Sequence, residues 1–231
     1  IGSPVIQASW KYDGRRKNLR VRLTQKRTGR GGLFHIPLEI AAVDAKGKDI
    51  PATARLVEIK GGELDLKFNG IPKPAFVSFN RGCSFYGTFK DVSVSREQLV
   101  RQVKSDPNRF NRVEAMRRLT DMERIRLSGD PDAAVGEDWL SLYETILKDV
   151  SLPYGLKAYL LRIDEQSLDR DYLSFYRERY AARIRLLKTV AEHCMPALME
   201  AFDSVDTYVR PKQSKDGIEE RLLKGILLRT I

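Results

Sequence analysis

Few residues in this chain have the types that catalysis needs, and they are scattered. There are two histidines and two cysteines in 231 residues. His35 falls at an outward position of an alternating stretch, where a solvent-facing imidazole is expected. His193 and Cys194 are neighbours inside a helical pattern. Adjacent helical side chains point about 100° apart, so these two cannot form a Cys–His dyad. No His-Glu-x-x-His or Cys-x-x-Cys spacing occurs, so no zinc site is assembled by motif. Gly29, Gly31 and Gly32 precede no helix and make no phosphate loop. Asp130, Asp132, Glu137 and Asp138 lack the ligand alternation of a calcium loop and read as a solvated segment. Arg177-Glu178-Arg179 reads as ordinary surface pairing. No catalytic residue, metal ligand or substrate-binding residue is assigned to the chain, and no cofactor is expected in it.

Two architectures would carry these residues. Leu19, Val21 and Leu23 alternate with Arg20, Arg22 and Thr24; Phe34 to Ile40 and Glu63 to Phe68 repeat the pattern. Each is a strand with one face in a core. Further strands are expected at 5–10, 52–59, 75–79 and 84–89, with glycine turns at 28–32, 46–48 and 60–62. Seven short strands in about 90 residues fit an immunoglobulin- or fibronectin-like sandwich. From Ser95 the period becomes helical. Ser95 and Gln98 form a capping box, and Asp106-Pro107 is a second helix start. Val113, Met116, Leu119, Met122 and Ile125 make an apolar stripe; Trp139, Tyr143, Ile146 and Val150 make another. Pro153 opens a helix bearing Leu156, Tyr159, Leu160 and Ile163. A long helix carries Tyr176, Tyr180, Ile184, Leu187, Val190, Cys194, Leu198 and Phe202, and Pro196 should kink or split it. The fold class is thus β followed by α: a sandwich over 1–95, then a superhelical ARM/HEAT-like segment over 96–231.

The opening Ile1-Gly2-Ser3-Pro4 and the abrupt end at Ile231 suggest a piece of a longer protein whose helical domain is truncated. The face of Leu222, Leu223, Ile226 and Leu227 is therefore expected to be partly exposed. The net charge of +10 is uneven. Residues 1–95 hold 17 Lys and Arg against 8 Asp and Glu; residues 96–231 hold 24 against 23. Arg15-Arg16-Lys17, Lys26-Arg27 and Arg30 could follow a phosphate backbone, but Tyr12 is the one aromatic near them and no stacking platform is evident. Widely separated cysteines and the lack of an apolar run of membrane length suggest a cytoplasmic protein that binds no membrane.

Several stretches, in order, resemble the C-terminal part of bacterial zinc aminopeptidases of the aminopeptidase N (alanyl aminopeptidase) type. They are Gly2-Ser3-Pro4-Val5 with Tyr12-Asp13, His35-Ile36-Pro37-Leu38 with Asp44 to Gly47, and Pro74 with Asn80-Arg81-Gly82-Cys83-Ser84. Asp106 with Phe110-Asn111-Arg112-Val113-Glu114-Ala115 follows, and Ala158-Tyr159-Leu160-Leu161 fits more loosely. Cys83 and Val113 stand where the family has aromatic residues, and Phe85-Tyr86-Gly87 where it prefers Ala-Pro, which marks a divergent member. The family's zinc and substrate motifs do not occur here, so no residue role carries over. The resemblance implies a non-catalytic spacer and active-site cap of an enzyme that removes N-terminal residues from peptides. The catalytic domain of the same polypeptide, with one zinc ion, would lie outside this chain. The alternative is a stand-alone basic sandwich with a helical scaffold, binding nucleic acid or another acidic partner. Arg81, Arg112 and Glu114 are expected to be paired charges that fix the angle between sandwich and helices.

Overall fold

A computed structural model describes residues 3–26, 32–130, 132–163, 174–205 and 217–231. The chain divides into two compact units, Ile1–Ala115 and Met116–Ile231. The turn at 28–31, most of the Lys26-Arg27 and Arg30-Gly31-Gly32 basic segments and Gly2 of the first motif lie outside the described residues.

The first unit is a two-sheet sandwich followed by one helix and the start of a second. Strands β1 (Val5–Asp13), β2 (Asn18–Lys26), β3 (Ile36–Val43), β4 (Arg55–Ile59), β5 (Glu63–Phe68), β6 (Phe76–Phe79) and β7 (Thr88–Asp91) form it. One sheet runs β5-β2-β1-β7 and the other β4-β3-β6. All pairs are antiparallel except β1 with β7, which is parallel. Alternation decides what is inside. Leu19, Val21 and Leu23 of β2 and Leu38 and Ile40 of β3 are buried in one core with Ile6, Ala8, Val57, Ile59 and Phe68. Each such side chain, fully buried, contributes about 1.5–3 kcal/mol. At the end of β2 a polar residue, Gln25, takes an inward position. Its amide donates to the Phe34 carbonyl at 2.9 Å and accepts from the Phe34 N–H at 2.6 Å, so the end of the strand is closed without an orphaned group. The seventh strand begins four residues later than its expected start. A 3-10 turn at Arg81–Cys83, in which Gly82 and Cys83 have φ of 60° and 58°, is followed by a bend over 85–87 that takes the place of the strand's expected start.

Helix α1 (Arg96–Ser105) starts on the expected capping box. Ser95 Oγ accepts from the Gln98 N–H at 3.3 Å and Gln98 Oε1 accepts from the Ser95 N–H at 2.8 Å. Helix α2 (Arg109–Gly129) starts two residues after Pro107. Asn108 is the reason: its Oδ1 accepts from the Asn111 N–H at 3.1 Å, which makes it the cap. Gly47, at φ +74°, lies against the end of α1. A Cβ there would stand 2.7 Å from the Ser105 carbonyl oxygen, so only glycine fits. The contact division falls inside α2, between Ala115 and Met116.

The second unit holds the rest of α2 with α3 (Glu137–Lys148), α4 (Tyr154–Leu161), α5 (Tyr176–Ser204) and α6 (Ile218–Leu228). Helix α3 packs on α4 and α5, and α6 packs on α4 and α5. Trp139 and Tyr143 are buried one turn apart. Trp139 donates through Nε1 to Thr120 Oγ1 at 3.2 Å and the Tyr143 hydroxyl donates to the Leu161 carbonyl at 2.9 Å. Burial drives the Tyr143 phenol well above its ordinary pKa. Helix α4 has no side-chain cap of its own. Instead the Gly155 N–H donates to Glu219 Oε2, in the first turn of α6, at 3.0 Å.

Several helical expectations are corrected. Met122, Val150, Tyr159, Tyr176, Tyr180 and Ile184 are exposed, and Ile125 and Val113 are only partly buried. On α2 the buried face turns through Thr120, Asp121, Glu123, Arg124 and Leu127; on α5 it runs through Arg179, Ala182, Leu186 and Val190. Polar side chains occupy positions that an apolar template skips. Arg179 in particular is buried, not a surface partner, because it lies three residues before Ala182 on that face. Helix α5 runs through Pro196 unsplit, with Glu192 and Pro196 both on its exposed side, where water meets the carbonyl that proline leaves without a donor. The α6 face is covered: Leu223, Ile226 and Leu227 are buried within the chain, and only Leu222 is partly open.

Candidate functional site

The residues with catalytic chemistry do not converge. His35 is exposed and faces Glu58, with Nε2 3.4 Å from Oε2. His193 is exposed and faces Glu144 at 3.7 Å, while Cys194 beside it is buried. Burial raises the Cys194 thiol above its ordinary pKa, away from the reactive thiolate form. Cys83 is exposed. Among the described residues no three His, Cys, Asp or Glu side chains are placed to hold a metal ion. The loop ahead of α3 is stitched to α2 and to α5. Glu123, inside α2, accepts from the Gly136 N–H at 2.7 Å and from Arg126 at 2.5 Å, and Arg126 and Arg185 donate to the carbonyls of Ala134 and Ala133. The first-turn acids Glu137 and Asp138 lie at the positive end of α3.

The motif segments do converge, within the first unit, on a buried polar cluster. Asn80 takes a left-handed conformation at φ 49°, which an Asn tolerates better than most residues. Its Oδ1 accepts from Ser84 Oγ at 3.0 Å, and Ser84 Oγ in turn accepts from the Glu39 N–H at 3.1 Å. Between them Arg81 turns inward. Its guanidinium forms a two-pronged bond with Asp49, at 2.8 and 2.6 Å, and lies 3.9 Å from Asp106. Asp106 has no exposed side-chain surface. Burial raises its carboxyl above the ordinary range, against the lowering pull of hydrogen bonds from Ser78 and the Asn108 N–H and of the Arg81 charge. Burial pulls the Arg81 guanidinium down, but the Asp49 bond and charge outweigh it and hold the pKa raised. Asn111 completes the cluster, with Nδ2 donating to Ser78 Oγ at 2.9 Å and to the Phe79 carbonyl at 2.7 Å.

This cluster binds its own members. The Arg81 fork is occupied by Asp49, and the Asn111 amide by β6. Its work is to hold the start of α2 and the 3-10 turn on the β4-β3-β6 sheet. Arg81 is paired and buried, as the motif suggested. The described bond of Arg112 is to the Val103 carbonyl of α1 at 2.7 Å, within the same unit. Asp49, Ser78, Asp106 and Asn111 were not singled out from the sequence as a group. Asp106 and Asn111 belong to the resembling motifs, whereas Asp49 and Ser78 carry no sequence signal, because 62 residues separate Asp49 from Asn111.

A second arrangement lies on the outer face of the β5-β2-β1-β7 sheet. An open groove of about 460 Å³ crosses it, lined by Ser9, Lys11, Arg20, Arg22, Asp65 and Lys67 among others. Arg22 and Asp65 form a two-pronged pair at 2.8 and 2.9 Å. Alternation placed these residues outward, but only the strand register puts them side by side. Of the basic turn residues, Arg15 and Arg16 donate their backbone N–H groups to Asp13 in a tight exposed turn. Tyr12 is turned away, its hydroxyl donating to the Ile71 carbonyl at 2.9 Å.

Comparison with known proteins places this geometry. Residues 2–92 match the family described as a domain of unknown function (DUF3458) with an Ig-like fold. Residues 96–231 match the family described as a domain of unknown function (DUF3458_C) of ARM repeats. No curated protein matches the chain. Among solved structures the chain is similar to Legionella pneumophila aminopeptidase A in complex with aspartic acid, with a TM-score of 0.83 and 18% identity, over 99% of this chain and 27% of that one. At that identity the likeness is one of fold, and the chain spans about a quarter of the length of that structure. The two family matches and this fold bear out the resemblance to the C-terminal part of aminopeptidase N-type proteins. The ARM-repeat match covers more than half of the residues, and this chain belongs to the DUF3458_C family, its ARM-repeat region preceded by a DUF3458 Ig-like domain.

Proposed function

We propose that the chain is the non-catalytic spacer and active-site cap of a zinc-dependent aminopeptidase that removes N-terminal residues from peptides in the cytoplasm. The observation that carries this is the order of the two domains. An Ig-like DUF3458 domain leads directly into ARM repeats, and the whole chain shares its fold with 27% of an aminopeptidase. The sandwich would act as a spacer beside the catalytic part of the same polypeptide, and the helical repeats would limit entry to short peptides. Zinc would be held by that catalytic part, outside these residues, and peptide is the substrate class. The buried Arg81–Asp49–Asp106 cluster suits such a role, since it stiffens the unit instead of offering a reactive group.

Zinc analysis and aminoacyl-substrate assays on the purified chain test the reading. Substoichiometric zinc and no turnover are expected from the chain alone. One tightly held zinc per chain together with turnover would refute it.

A further inference from the structure

The outer face of the β5-β2-β1-β7 sheet carries charge that the spacer-and-cap reading does not use. In the strand register Lys11 stands opposite Arg20, and Arg20 stands opposite Lys67. Adjacent strands lie about 4.8 Å apart, so three cationic side chains rise in one row roughly 10 Å long. All three are exposed. Among the described residues, none of the three side chains has a hydrogen-bond or ion-pair partner. The neighbouring row makes the contrast. There Ser9, Arg22 and Asp65 stand in register, and Arg22 is neutralised by Asp65. Like charges directly opposite one another destabilise a sheet. The Lys11–Arg20–Lys67 row is therefore held at a cost that a bound anion would reverse.

We propose that this row is a docking site for a carboxylate-bearing segment of another polypeptide. Phosphate chains fit the face less well. Glu63 shares it, exposed beside the Arg22–Asp65 pair, and would repel a continuous track of phosphates more than carboxylates spaced by neutral residues. Tyr12 packs toward the core, and Trp10, partly buried against the core, is the one aromatic among the described residues that line the groove, too few for a platform that stacks successive bases. A segment mixing acidic with neutral or basic residues meets both signs present in the groove. The proposal stands independently of the parent's enzymatic activity.

The test titrates the chain with a labelled peptide of alternating Glu and Ser, beside oligothymidylate, at low and at physiological salt. The peptide is expected to bind, to weaken as salt rises, and to bind more tightly than oligothymidylate. The triple variant K11Q/R20Q/K67Q is expected to lose about tenfold in affinity, the sum of three exposed ion pairs, whereas R22Q, whose charge is already paired, loses far less. The triple variant is also expected to melt no lower than the parent, because the repulsion is gone. No peptide binding, equal binding by the triple variant, or preference for oligothymidylate overturns the proposal. A lower melting temperature for the triple variant overturns the claim that the row is held at a cost.

Discussion

The two units handle charge in opposite ways. In the sandwich, most charged side chains of the described residues stand on outer faces, and a buried cluster, Arg81 with Asp49 and Asp106, sits where strands meet the first helices. In the helical unit, charge is threaded through the interior: Asp121, Glu123, Arg124, Lys157 and Arg179 are all buried. A strand has two faces and can give one wholly to water. A helix in a stack is flanked by two neighbours, so its buried arc is wide and takes in polar positions. Their polar ends are then met by helix termini and loop carbonyls. Lys157 shows this, donating through Nζ to the Leu147 carbonyl in the last turn of α3 at 3.1 Å.

If that contrast is right, single substitutions should separate the units. The largest effect is expected from Trp139→Ala in the helical unit, at about 3–5 kcal/mol, because it opens a cavity and strips Thr120 of its donor. Arg81→Ala should cost the sandwich about 3 kcal/mol by leaving the Asp49 and Asp106 carboxylates without their counter-charge. Equilibrium urea unfolding, followed separately for each unit by hydrogen exchange, reads both. If Arg81→Ala cost no more than a surface change, the cluster would not be a brace.

Lys157→Met is expected to cost about 1–3 kcal/mol, since the Leu147 carbonyl loses its donor while the buried stem is preserved. Asp106 gives a pH signature. Its folded pKa is raised, so the folded state holds its proton more tightly than the unfolded chain. Its contribution to stability is full below the ordinary carboxylate pKa of about 4 and is lost as pH rises through the raised value. The stability difference between the parent and Asp106→Asn should therefore fall across that window and level off above it; a difference that grows with pH would contradict the assignment. The smallest effect is expected from Arg22→Ala, an exposed pair whose removal should leave the melting temperature unchanged.

How far the sequence could be read follows the same division. Period-two runs such as Leu19-Arg20-Val21-Arg22-Leu23 placed β2, β3 and β5 and their inner faces, since one misplaced residue would turn every side chain over, whereas β7, expected without such a run, starts four residues late. The capping box at Ser95 placed α1 to the residue. On α5, however, the run Tyr176, Tyr180, Ile184 looked like a stripe, and all three are exposed. The buried arc there includes Arg179, and no apolar template selects an arginine. The Arg81 cluster and the Lys11–Arg20–Lys67 row were illegible for a different reason. Both depend on which strands lie side by side, and pairings across 30 to 60 residues leave no local period.

The central claim is that this sandwich and these repeats serve a catalytic part elsewhere in the same polypeptide. Sequencing the coding region upstream of Ile1 tests it most directly. The account expects a His-Glu-x-x-His motif, with a further Glu downstream of it, in the same reading frame. An upstream reading frame without that motif, or one that opens at the sandwich, would contradict it.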